Sequence, residues 1–197
     1  MVLRRLLTLA VLIAAPLLIA IKSAQAPAEN QMLDLTSLSD DDLKSVSLTF
    51  ERTRCYGSCP AYNLSIHGDG SVEYVGKNNV KAKGAHTGRI ELASIKRLMS
   101  EFSRAQFFSL KEDYSEEKCF GRLCTDMPTA VTELKVKGLS HRVRHYYGCG
   151  EAPRALFDLE SGIDKAVNSQ QWTGDVSRQG PYGTTCWENK PSTAGAL

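Results

Sequence analysis

Residues 45–76 read SVSLTFERTRCYGSCPAYNLSIHGDGSVEYVG, and their alternation decides the fold. Val46, Leu48 and Phe50 alternate with Ser47, Thr49 and Glu51, the period of a strand with one buried face. Beyond a cysteine turn, Tyr62, Leu64 and Ile66 share one face of a second strand. The GDGS of residues 68–71 predicts a hairpin turn, because glycine tolerates positive φ and Asp-Gly favours tight reversal. SVEYVG returns as a third strand, residues 76–79 turn again, and a shorter strand is expected over residues 80–83. Asp69 is read as turn chemistry, since the repeated acids of a calcium loop are missing around it.

From residue 91 the period lengthens. Leu92, Ile95, Leu98, Met99 and Phe102 recur at three and four, which predicts an amphipathic helix to about Ala105. Phe107, Phe108 and Leu110 follow as an apolar cluster. Residues 111–128 then form a polar loop containing CFGRLC. AVTELKV, a turn at Lys137 and Gly138, and SHRVRHYY predict a second hairpin. Pro153 suits the first position of a last helix, whose stripe is Leu156, Leu159, Ile163 and Val167. Hairpins without long parallel crossovers predict an α+β fold: an antiparallel sheet of five or six strands with two helices on one face.

Residues 1–28 stand apart. A basic MVLRR, an apolar run over residues 6–21 and small residues in KSAQAPA predict an export signal. At about 1.5 Å per residue that run spans roughly 24 Å, short of the roughly 30 Å bilayer core. A membrane tether is expected only if these residues are retained. Removing Arg4, Arg5 and Lys22 leaves 21 basic against 22 acidic side chains. No basic stripe survives, which argues against a nucleic-acid partner. Residues 29–44 read as a linker in which Ser39 and Asp42 can cap one helical turn. Residues 45–170 form the expected domain, and residues 171–197 a tail tethered through Cys186. The expected location is periplasmic or secreted, where an even set of six cysteines forms disulfides.

Cys55 and Cys59 enclose three residues between two strands. A thiol oxidoreductase uses two, at the start of a helix whose dipole lowers the first thiol's pKa. Spacing and compartment favour a structural staple; a thiol–disulfide active protein using Cys55 and Cys59 is the alternative. His141 and His145 alternate on one strand face, roughly 13 Å apart, too far to share a metal. No G-x-S-x-G elbow and no Gly-rich phosphate loop is present. No cofactor or metal is therefore implied, and no catalytic set is assigned.

RTRCYGSCPAYNLSIHGDGSVEYVG, the later TDMPT and the HYYGCGEAP before the last helix resemble an uncharacterised bacterial exported domain family with an R-T-x-C-Y-G-x-C-P-x-Y core. The matching positions are Arg52, Thr53, Cys55, Tyr56, Gly57, Cys59, Pro60, Tyr62, Asp69, Gly70, Thr125, Asp126 and Pro128. The resemblance covers residues 46–167 and implies no activity. Cys119, Cys124, Cys149 and Cys186 look like additions to that pattern. Local closure along the chain predicts Cys119 with Cys124, and Cys149 with Cys186. The expected function is a binding or structural module for an unknown protein or cell-envelope ligand. Its expected contact patch is Arg52, Arg54, Tyr56, Tyr62 and Asp126 with residues 111–128, because arginine and aromatics on pinned turns make good anchors.

Overall fold

In the computed structural model, which describes residues 34–174, the alternation of the opening stretch becomes three adjacent strands. The export signal expected over residues 1–28, the start of the expected linker and nearly all of the expected tail, with Cys186, lie outside the described residues. β1 (Ser47–Arg52) buries Leu48, Phe50 and Arg52 on one face. β2 (Ala61–His67) buries Tyr62, Leu64 and Ile66, and β3 (Ser71–Asn78) buries Val72 and Tyr74. The 68–70 loop reverses the chain with Gly70 at φ 85°, where a side chain would be strained.

Among the described residues the sheet has seven strands in the order β4-β3-β2-β1-β6-β7-β5. β6 (Thr129–Val136) and β7 (Leu139–Tyr146) form the second hairpin, and β6 pairs antiparallel with β1. Five or six antiparallel strands were expected, and two differences emerge. β4 (Gly84–Arg89) begins after residues 80–83, whose backbone is drawn elsewhere: Ala82 N–H donates to Trp172 O at 2.8 Å. Inside the polar loop, β5 (Asp113–Tyr114) pairs parallel with β7, making the sheet mixed. Two residues are too few to show a period.

Among the described residues there are four α-helices rather than two. α1 (Asp40–Lys44) falls within the stretch read as linker, and the Ser39–Asp42 capping box holds it while Leu43 is buried. α2 (Leu92–Arg104) buries Ile95, Leu98, Met99 and Phe102. α3 (Arg154–Ala166) buries Leu156, Phe157, Leu159, Glu160 and Ile163. α4 (Gln170–Thr173) reaches beyond residue 170 and stacks Trp172 on Tyr74, with ring centroids 4.9 Å apart. Helices α2, α3 and α4 cover the sheet face that carries Tyr74, His141 and His145. The opposite face presents mostly part-exposed and exposed side chains such as Thr49, Glu73 and Arg142. No helix among the described residues is long and apolar enough to cross a membrane.

Candidate functional site

The strand ends nearest the cysteine turn carry two layers, a buried polar network and a set of pinned loops above it. The network starts at Arg52, the last residue of β1, which is 3% exposed. Strand alternation turns its side chain inward beside Leu48 and Phe50, so the guanidinium needs partners there. Its Nη2 lies 2.8 Å from Asp164 Oδ2, and its Nε donates to the same oxygen at 2.9 Å and to the Tyr62 hydroxyl at 3.1 Å. Nη1 donates to the Tyr147 hydroxyl, and Tyr62 donates to Asp164 Oδ1. The guanidinium also lies over the rings of Phe50 and Tyr147, at 4.8 and 5.3 Å from their centroids.

Beside this cluster, His145 and Glu160 are both fully buried, and the imidazole Nδ1 sits 3.0 Å from each carboxylate oxygen. The imidazole packs against Phe157 and Tyr147 at centroid distances of 4.2 and 4.7 Å, and its Nε2 has no hydrogen-bond partner among the described residues. Burial works against the Arg52 charge, but Tyr147, Asp164, Tyr62 and Glu160 outweigh it and hold its pKa well above the ordinary value. Burial also pushes the Tyr147 phenol well above its usual range; Arg52 opposes that shift and Glu160 adds to it. Tyr74, buried next to the Asp164 charge, is pushed up to about 12.

Above the network, the chain from Thr53 to Pro60 folds back through the Cys55–Cys59 disulfide. Cys59 is 1% exposed and no helix begins at the pair. Tyr56 N–H donates to Asp126 O at 3.1 Å, which seats the turn against the loop before β6. Asp126 adopts a left-handed backbone, φ 69°, to present that carbonyl. The loop is held in turn by a bridge between Cys119 and Cys149 and by ladder pairing of Leu123 with Cys149. Both pairings expected from local closure are thus overturned. Cys119 reaches Cys149 rather than Cys124, because the loop lies along residues 148–150, with Cys124 N–H donating to Gly148 O and Gly150 N–H to Arg122 O. Cys124 is also disulfide-bonded.

The five residues of the expected patch therefore separate. Arg52 and Tyr62 are buried and belong to the network. Arg54, Tyr56 and Asp126 are exposed, Tyr56 at 89%, and Phe120 on the Cys119–Cys149 loop is 86% exposed. His145, Tyr147, Glu160 and Asp164 were absent from the sequence-derived set. One signal for them was available: Glu160 and Asp164 lie four apart on the apolar stripe of α3, where two carboxylates call for buried cations. Among the described residues no group of three or more His, Cys, Asp or Glu side chains is placed to hold a metal ion.

No curated protein matches the chain. Residues 46–167, from the lead-in to β1 through the end of α3, match the family described as "Domain of unknown function (DUF6438)". That span takes in the pinned turn, the buried network and the Cys119–Cys149 loop, and it exceeds half of the 197 residues. The chain belongs to the DUF6438 family.

Proposed function

We propose that this protein is an exported binding module whose contact surface is the pinned end of the sheet, with Tyr56 and Phe120 as anchors. One observation carries the reading. Two large aromatic side chains are 89% and 86% exposed, each on a loop covalently closed at its base. Large aromatics dominate binding energy where they enter a pocket, and a rigid loop loses little entropy on docking. Exposed Arg54, Arg122 and Asp126 supply a polar rim around them. Two disulfides and the pattern of residues 1–28 support an oxidising, exported location.

The test uses a photo-activated phenylalanine analogue at position 56 or 120 of the protein exported from living cells. Leu139, also an exposed apolar side chain but at the far turn of the second hairpin, serves as the control position. Adducts of defined mass at 56 and 120 and none at 139 are expected. Equal labelling at all three positions, or none at any, would remove the proposal.

A further inference from the structure

The two edges of the sheet differ. One is β5, only two residues long. The other is β4, six residues paired to β3 on one side and to nothing among the described residues on the other. Ile90 N–H donates to Gly70 O at 2.9 Å, which fixes the alternation along this antiparallel pair. Gly88, His86 and Gly84 thus exchange hydrogen bonds with Val72, Tyr74 and Gly76, their register partners. The N–H and C=O groups of Ala85, Thr87 and Arg89 point away from the sheet, and all three residues are exposed. Natural edges are blunted by proline, bulges or a charge in mid-strand. The register of β4 is unbroken, and Ala85 and Thr87 carry neither proline nor charge.

We propose that β4 is a self-pairing edge, on which a second copy of this chain docks antiparallel about a two-fold axis at Thr87. Thr87 then faces Thr87 of the second copy, Ala85 faces its Arg89, and the side chain of Lys83, just before the strand, comes to the end of the ladder beside Glu91 of that copy. Every outward residue of each strand finds an outward residue opposite, which a slip to odd spacing would forbid. The charges select this register among those that remain. Centring the axis on His86 sets Lys83 against Arg89, and centring it on Arg89 opposes two guanidiniums. Centring it on Gly88 sets Ala85 against Glu91 and leaves Lys83 without an acidic partner. Lys83 and Glu91 are both exposed, and Glu91 keeps extended backbone, φ −74° and ψ 152°, so the ladder can reach it. Thr–Thr and opposite-charge pairs across strands are each favourable.

Sedimentation of the exported protein over a range of concentrations tests this. A monomer–dimer equilibrium is expected for the unaltered chain. Thr87→Pro removes one outward N–H and no β3–β4 hydrogen bond, a position where an edge strand tolerates proline. It should keep the circular dichroism of the unaltered chain and raise the dissociation constant by at least about tenfold. Lys83→Glu should also weaken the dimer, and adding Glu91→Lys should restore it; this pair decides the matter if the proline variant misfolds. A chain monomeric at every concentration, a dimer indifferent to Thr87→Pro in a folded variant, or the absence of charge-swap rescue overturns the proposal. So does a monomer that instead binds an extended poly-glutamate peptide along β4.

Discussion

Arg52 shows how one side chain can tie distant parts of a chain together, since its ion-pair partner Asp164 lies 112 residues downstream. Removing a partner from a buried ion pair leaves a charge that water cannot reach. Arg52→Leu should therefore destabilise the fold by about 3–5 kcal/mol in urea unfolding, because it strands the part-buried Asp164 beside fully buried Glu160. The phenols add a pH dependence of definite sign. Tyr74 and Tyr147 bind their protons more tightly folded than unfolded, so their contribution is complete below about pH 10, the ordinary tyrosine value. It is lost as pH rises towards about 12, the folded value for Tyr74. Their tyrosinate absorbance should appear together with loss of far-ultraviolet dichroism; ionisation in a still-folded protein would contradict the network. The inward direction of Arg52 and Tyr62 was legible, since both fall in step with the apolar residues of their strands. Their charge and hydroxyl argued for the surface only because the compensating groups sit on α3, out of reach of any local pattern.

Among the elements, those with a strong period lay where the sequence placed them and the weak ones did not. β1, β2, α2 and α3 carry clean apolar alternation or a stripe. β4 reads GAHTGR, with two glycines and one β-branched residue, and it is a strand because β3 offers it a ladder. α4 exists by the same kind of tertiary support: its four residues are anchored by Trp172 on Tyr74. Trp172→Ala should cost about 3 kcal/mol and release residues 80–83 for faster amide exchange, because Lys81 and Ala82 donate to the backbone of α4. Gly148 marks another contact that only glycine permits. A Cβ there would stand 1.9 Å from Cys124 O, so Gly148→Ala should lift the loop before β6 at a cost of about 1–3 kcal/mol. Calorimetry together with amide exchange at Cys124 would read both effects.

For the molecule as a whole, disulfide connectivity was the part least accessible to sequence. Distance along the chain favoured Cys119 with Cys124, whereas the sheet brings the loop against residues 148–150 and hands Cys119 to Cys149. Non-reducing peptide maps should return the 55–59 and 119–149 linkages. Replacing both cysteines of the longer link with serine should cost about 4 kcal/mol, against about 2 kcal/mol for the shorter, since the entropy of the unfolded chain scales with the loop closed. The 119–149 link also encloses the whole β6–β7 hairpin in a covalent ring. A protease that cuts after exposed Arg122 would sever the backbone and yet liberate nothing, because both fragments stay joined at Cys149. Such a nick would be silent in intact mass apart from one added water, and it would be unmasked only when a reductant opens the ring.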